Sequence, residues 1–561
     1  MAEGKKDLLC GLIVAAAAAA MFVPGMGTLA LVDRDEPRFA EAARVMRATG
    51  DYVVPHFNGE VRYHKPPLVY WMMASAYGIF GVNEIGARAG SAVMGIISCV
   101  LIFVIAHSMF GRRAALISGI IGATVAQVFI VSRIATADAL LLATLLTMFL
   151  GFWRIHKGQR TAASYLLLYG GLAAGSLTKG PVSIALLLVS VAIYAMLRRD
   201  YPPGARVLPK IRLWWSELRQ AARELHLAIG VGSATVIFLA WFVPAVIRTD
   251  GGFLEHGLFS HVIERAFVRS FENHAGVPVV YYLLILPLFF FPWFAVLPES
   301  IRRLWKSTSD RGRRAFLIAW AAAPYLVFSF LRSKLPHYVL PSYAAFAIIC
   351  GSALDRAISD GHNFWQNRLG KAGLIVFAAT GVVLTAGVVG FWPYCGLPEL
   401  VWKFAPAGGA MLLMTAWAST CFVRGNNSRA TTVMAGLMAV AILAISTIAL
   451  PALEKNYMYK NAAQDVGKLL TGDEAVCSDV REPSLVFYLQ RRVNWACRPK
   501  ELAEFLRENG RVICIAQRSL NETAKNAGAT KIRDLRCFNM CRMKWEDVTL
   551  WRIERPQSAR R

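Results

Sequence analysis

Leu8-Leu9-Cys10-Gly11-Leu12-Ile13-Val14, the alanine tract Ala15–Ala20 and Met21-Phe22-Val23-Pro24-Gly25-Met26-Gly27-Thr28-Leu29-Ala30-Leu31-Val32 run straight into Asp33-Arg34-Asp35-Glu36-Pro37-Arg38-Phe39-Ala40-Glu41. The first part is apolar over a length that crosses a bilayer, which takes about 20 helical residues. It is too long for the core of a secretory signal, and more apolar runs follow, so it reads as a retained first helix with Lys5 and Lys6 on the cytoplasmic side. The first six residues of the second part set three acids and two arginines at the mouth of that helix. Working outward, further spans are expected near 86–109, 114–131, 138–153, 163–178, 181–197, 227–247, 279–298, 315–331, 338–355, 371–391, 408–423 and 430–450. That makes thirteen in all, an odd number that places the C-terminus outside.

Composition agrees. The 561 residues are 56% hydrophobic and 17% charged, whereas soluble domains run at about 45–50% and about 25%. A cytosolic enzyme, a secreted disulfide scaffold and a disordered chain are excluded. The 61 Lys+Arg against 36 Asp+Glu give +25, which in a soluble chain would suggest nucleic acid. Here the cations fall at Arg112-Arg113, Arg154/Lys157/Arg160, Arg198 to Arg223, Arg302 to Arg314, Arg356/Arg368/Lys371 and Arg424/Arg429. Those segments are the ones assigned inside, as the positive-inside rule requires, and no nucleic-acid partner is expected.

The expected class is thus mostly α and polytopic, with a transmembrane domain over 1–451 that includes a first external loop at 33–85 and a second at 248–278. Residues 452–561 read as a soluble external (periplasmic) α/β domain, with strands at 475–480, 484–489, 511–517 and 547–553 and helices at 500–508 and 519–526. Residues 200–226, with Trp214-Trp215, read as an interfacial helix. Cys477, Cys497, Cys514, Cys537 and Cys541 lie in the tail, where an oxidising compartment would form one or two disulfides and leave a thiol over. Cys10, Cys99, Cys350 and Cys421 read as apolar packing, and Cys395 falls in an outer loop.

The polar residues with chemical promise stand outside. The first loop carries Asp35-Glu36-Pro37-Arg38-Phe39-Ala40-Glu41, Gly50-Asp51-Tyr52…Pro55-His56 and Tyr63-His64-Lys65-Pro66-Pro67…Tyr70-Trp71. A carboxylate held at the membrane beside cations suits a reaction on a lipid-linked phosphate, the acid activating a nucleophile and the cations neutralising the leaving group. These motifs, with Arg133-Ile134-Ala135-Thr136-Ala137-Asp138, Thr178-Lys179-Gly180-Pro181, Phe271-Glu272-Asn273-His274-Ala275-Gly276…Tyr281-Tyr282…Pro292-Trp293 and Ser333-Lys334-Leu335-Pro336-His337-Tyr338, resemble the bacterial aminoarabinose transferase family over residues 1 to about 350. That family comprises GT-C glycosyltransferases related to protein O-mannosyltransferases.

The resemblance implies a GT-C-type helical bundle, a polyprenyl-phosphate sugar donor and a site at the outer membrane face. Asp35 matches the family's first-loop acid, with Glu36 beside it as second candidate, and Asp138 matches a second functional acid that could otherwise serve as a helix cap. Arg38, Lys65, Tyr63, Lys179, Lys334 and Tyr338 match contacts to donor phosphate or substrate. Where many relatives have Glu before the loop lysine, this chain has His64, and a divalent metal held by His64, His256 and His261, with His274 near in sequence, is carried as an expectation beside the default of no required cofactor.

The implied reaction is an inverting displacement onto lipid A or a related envelope glycolipid. The alternative acceptor is a protein or another envelope glycan. A lipid-linked sugar flippase would call for related halves, and residues 1–280 and 281–450 show none. The Asp33-Arg34-Asp35 spacing lacks the soluble nucleotide-sugar context that would give it meaning. The expected location is the bacterial inner membrane, multi-pass.

Overall fold

The computed structural model describes residues 2–32, 34–199, 207–264, 278–307, 310–361, 364–455, 458–472, 474–539 and 542–554; at 2, 261–263, 458 and 537 only the backbone is described. The chain is a mostly helical membrane protein with a small C-terminal sheet domain. Eight helices carry the argument: α1 (Asp35–Thr49), α2 (Glu84–Phe110), α3 (Asp138–His156), α4 (Ala162–Lys179), α5 (Val207–Glu224), α6 (Leu297–Lys306), α7 (Arg311–Ser329) and α8 (Leu340–Ser359).

Among the described residues seven helices are long and apolar enough to cross a bilayer, or eight if the bent pair Arg112–Thr124 and Ala126–Ser132 counts as one span. The expected thirteen is not established, and three runs show why. The first apolar run is helical only over Ala2–Phe22; Pro24 and Gly25, the latter at φ 68°, turn the chain through 23–32. The run at 279–298 is a short helix, Tyr281–Phe289, followed by an unwound stretch and then α6. The run at 114–131 breaks at Val125 and bends by 62°. The free amide at that break, Ala126 N–H, donates to the Phe291 carbonyl, and the Trp293 indole donates to Thr124 Oγ1. Two irregular stretches thus satisfy one another's polar groups, as the interior of a bundle permits.

α2 opens on a sequence-encoded cap, the Asn83 side-chain Oδ1 accepting from Gly86 N–H at 2.9 Å. α3 and α4 form an antiparallel pair held close by glycine. A Cβ at Gly171 would lie 2.6 Å from the Met148 backbone nitrogen, and one at Gly151 2.3 Å from that of Leu168. Only glycine permits this approach. α5 is a largely exposed amphipathic helix, in keeping with the interfacial reading of 200–226, of which 200–206 lie outside the described residues.

The tail holds a five-stranded sheet of β1 (Ala475–Ser478), β2 (Val493–Trp495), β3 (Arg511–Gln517), β4 (Thr530–Asn539) and β5 (Lys544–Glu554), in the order β2-β1-β3-β5-β4. β1 runs parallel to β2 and β3; β5 runs antiparallel to β3 and β4. Residues 484–489, expected as a strand, form the helix Pro483–Leu489, buried on nearly every side. A short apolar run surrounded by core has no periodicity to separate the two, and Pro483 at the first turn favours helix. Cys477 and Cys514 stand in register on β1 and β3 as free thiols, and Cys395 and Cys497 are also free. The expected disulfides are therefore absent among the described cysteines; the Cys537 side chain and Cys541 lie outside them.

The tail is fastened to the first loop. Asn58 makes reciprocal 2.8 Å bonds with Val493 N–H and C=O. The Tyr488 hydroxyl accepts from Leu31 N–H at 2.8 Å and donates to Glu84 at 3.0 Å. Lys460 bridges Glu84 and Glu454.

Candidate functional site

One buried ion pair organises the mouth of the bundle. Arg88 on α2 is 4% exposed and engages all five of its N–H donors. Nε and Nη2 reach the two Glu36 oxygens at 2.8 Å, and the remaining N–H groups go to the carbonyls of Met26, Leu29 and Ala30. Glu36 completes its shell with Val32 N–H at 2.7 Å and Ala135 N–H at 2.6 Å. The pair therefore ties the 23–32 connection, α1, α2 and the Arg133–Asp138 turn into one unit. Glu36, a catalytic candidate from sequence, is 1% exposed with every acceptor site engaged, which gives it a structural duty. Its neighbour Asp35, one step round the first turn of α1, is exposed.

The Arg133–Asp138 turn delivers Asp138 as the first residue of α3. The cap position is Ala137, with no side-chain cap bond, so the Asp138 carboxylate is not used as a helix cap. Asp138 Oδ1 takes Lys179 Nζ at 2.6 Å, and Oδ2 accepts from the Thr136 hydroxyl at 3.1 Å. Lys179 ends α4, where a cation also suits the helix dipole. Its ammonium lies 5.1 Å from the centre of the Tyr338 ring. His337 brings Nε2 to 3.6 Å from Asp138 Oδ1. Lys65 acts electrostatically on Asp138, and Asp35 on both Lys179 and His337. Five polar groups from five separate segments thus converge: Asp35, Lys65, Asp138, Lys179 and His337.

Other sequence candidates lie around this centre or away from it. Arg38 is half-buried on α1. Lys334 is 5% exposed and donates to the Leu331 carbonyl, closing the end of the helix before it. Tyr63 packs against Phe253 and His256 in the segment after the helix Leu227–Arg248, ring centres 5.2 Å apart in each case. Among the described residues no group of three or more His, Cys, Asp or Glu is placed to hold a metal ion. His64 and His256 alone do not supply a ligand set; the His261 side chain and His274, with the rest of the 271–276 motif, lie outside the described residues, as does Asp33.

Sequence reasoning passed over His337, although it stands between Lys334 and Tyr338 in a quoted motif, and over Arg62. Arg62 is 7% exposed, donates to the Tyr70 hydroxyl at 3.0 Å and lies over the Phe39 ring. Asp35 acts electrostatically on Tyr70, so this trio forms the wall behind it.

Comparison with known proteins agrees with this architecture. A family model described as dolichyl-phosphate-mannose-protein mannosyltransferase matches residues 64–205. The chain is 29% identical over 338 residues to the undecaprenyl phosphate-alpha-4-amino-4-deoxy-L-arabinose arabinosyl transferase of Edwardsiella ictaluri, covering 60% of this chain and 57% of that protein. It is 27% identical over 367 residues to the protein of the same name from Erwinia tasmaniensis, covering 64% and 61%. The chain thus spans under two thirds of the length of these relatives. Among solved structures, ArnT from Cupriavidus metallidurans bound to undecaprenyl phosphate superposes with a TM-score of 0.74 at 23% identity, covering 96% of this chain and 97% of that one. The archaeal oligosaccharyltransferase AglB from Archaeoglobus fulgidus shares the fold more distantly, with a TM-score of 0.50 at 11% identity over 94% of this chain and 71% of that one. With motifs, fold and sequence comparison in agreement, the chain is similar to the bacterial undecaprenyl-phosphate aminoarabinose transferases and has the GT-C fold.

Proposed function

We propose that the chain is an integral membrane glycosyltransferase that moves a sugar from a polyprenyl-phosphate donor to lipid A or a related envelope glycolipid, at the outer face of the bacterial inner membrane. The observation that carries this reading is the Asp138–Lys179 pair with Lys65, His337 and Asp35 gathered around it. Two cations fixed at a membrane-side site match a substrate whose leaving group is a lipid phosphate.

In the proposed step the acceptor oxygen bonds to the anomeric carbon while the bond from that carbon to the phosphate oxygen breaks. The electron pair leaves with polyprenyl phosphate, and the anomeric configuration inverts. Phosphate leaves readily, so the protein's part is to orient the reactants and neutralise charge as it grows. Lys179, held by Asp138, and Lys65 do the second. With a hydroxyl acceptor Asp35 takes the proton. A lipid A phosphate is already anionic and needs no base, and Asp35 then orients the donor. No metal is assigned a part.

Mass spectrometry of lipid A from cells with the chain, without it, and with Asp35→Asn tests the reading. The expected result is a pentose-sized increment with the wild type alone, since losing the group that orients the donor, or takes the proton of a hydroxyl acceptor, costs about 10²-fold or more in rate while its exposed position leaves stability unchanged. Lipid A unchanged in all three overturns the acceptor assignment. The mannosyltransferase match over 64–205 then favours glycoproteins as the place to look.

A further inference from the structure

The end of the bundle away from the candidate site carries a second built feature. Arg88 sits near the start of α2 and Phe110 at its end, 22 residues on, which at 1.5 Å per residue is about 33 Å. Around Phe110, where α6, α7 and α8 also come together, lies a cavity of about 370 Å³. Its described lining holds six cations, Arg302, Arg303, Lys306, Arg313, Arg314 and Arg356, against two acids, Asp310 and Asp360. Buried Glu299 behind the wall takes Arg302 at 2.6 Å and Arg303 at 2.8 Å, so those two guanidiniums are held in place. Arg314 is fixed by the Trp305 and Ser307 carbonyls. Even with Glu299 counted, the cavity keeps a surplus of positive charge, and it is preformed.

Arg314 also lines a second cavity, of about 700 Å³, with a different character. Its walls include Leu197, Ile211, Trp214, Trp305 and Ile318, and beside Arg314 they carry three further cations, Arg199, Lys210 and Arg311. α5 closes it from the side and is pinned there: Glu217 pairs with Arg198 and Arg199, and the Trp214 indole donates to the Ala192 carbonyl at 3.1 Å. A basic chamber thus opens beside a larger one with apolar walls and cations of its own, the two sharing Arg314. Soluble phosphate makes no use of the apolar walls. A phospholipid uses both, its headgroup phosphate among the cations and an acyl chain along the apolar wall.

We infer that this paired cavity is a binding site for an anionic glycerophospholipid, separate from the candidate catalytic centre. Its phosphodiester is held by Lys306, Arg356 and Arg314, and its chain lies between α5 and α7. Basic pockets between membrane helices recognise such headgroups, and volumes of 300–1,000 Å³ suit a bound small molecule.

Native mass spectrometry of the purified full chain tests this with three probes: phosphatidylglycerol, zwitterionic phosphatidylethanolamine and inorganic phosphate. The wild type should retain one phosphatidylglycerol at energies that strip phosphatidylethanolamine, with at least fivefold preference. Lys306→Ala/Arg356→Ala should lose that preference, while Arg424→Ala/Arg429→Ala, at the same end of the bundle but outside both cavities, should keep it. Equal retention of the two lipids, or full retention by the Lys306/Arg356 variant, overturns the site. A second measurement needs no variant: phosphatidylglycerol should raise the wild type's melting temperature by several degrees over phosphatidylethanolamine. No difference, or an equal rise with inorganic phosphate, overturns the lipid assignment.

Discussion

Asp138 and Lys179 are each nearly buried, with side chains 12% and 11% exposed, and each is the other's main compensation. Removing one partner of such a pair typically costs about 3–5 kcal/mol, because the other charge stays behind. Asp138→Asn and Lys179→Met should therefore each destabilise the chain strongly, and the double variant should cost clearly less than their sum. Unfolding in detergent measures this; additivity within about 0.5 kcal/mol would mean that the two do not act as a pair. Transfer activity should be lost in all three. Asp479, after β1, is a different case. Burial pushes its carboxyl up from 3.8 to about 6, even though both oxygens accept from Gln517 N–H. A raised folded-state value means that the stability tied to this group is fully present below about pH 3.8 and lost as pH rises through about 6. Asp479→Asn should melt higher than the wild type at pH 8 and together with it at pH 4. A gap of the same size at both pH values would exclude ionisation of Asp479 as the cause.

At the scale of elements, the distance between α3 and α4 sets where Lys179 meets Asp138. Gly171→Val would place side-chain carbon against the α3 backbone, where even a Cβ stands 2.6 Å from Met148 N. Overpacking of this kind costs about 1–3 kcal/mol, and activity should fall further than stability because the ammonium is carried off its partner. At Gly170 the nearest atom to an added Cβ is Leu166 Cδ1, 3.8 Å away on the same helix, so Gly170→Val should be nearly silent in both assays. Equal effects at the two glycines would remove the argument from helix spacing. Helices such as α2 and α3 were legible because their apolar runs are uninterrupted and bounded by Asn83 and Asp138. The break at Val125 was not, since its cause is a carbonyl more than 160 residues away at Phe291. β4 was missed because Thr530-Lys531-Ile532-Arg533-Asp534 reads as a solvated segment, whereas at a sheet edge its charges simply face out. Asp138, Lys179 and Tyr338 could be found from motifs. Arg88 could not: its five bonds all go to residues 52 to 62 positions away, and nothing local marks it.

Across the whole molecule, the first loop is held from two sides. The Arg88–Glu36 pair fixes it to the bundle, and Asn58, Tyr488 and Lys460 fix the tail onto it and its flanks. The helices beneath are not equivalent. Within its most apolar window α3 is 83% buried and the span Pro336–Ser359 89%, whereas Arg368–Cys395 and Leu227–Arg248 are only 22% buried. The first two meet protein on nearly every face; the others offer most of their surface outward, where any apolar side chain satisfies hydrocarbon equally well. Over evolutionary time those two groups should drift at different speeds. In a set of descendants of this chain, Leu, Ile, Val and Phe should exchange freely along 375–390, while α3 keeps its residues or changes them in matched pairs with α4. The outer helices are therefore the place to graft a fluorophore or a cross-linker, because the sequence there records little beyond the thickness of the membrane.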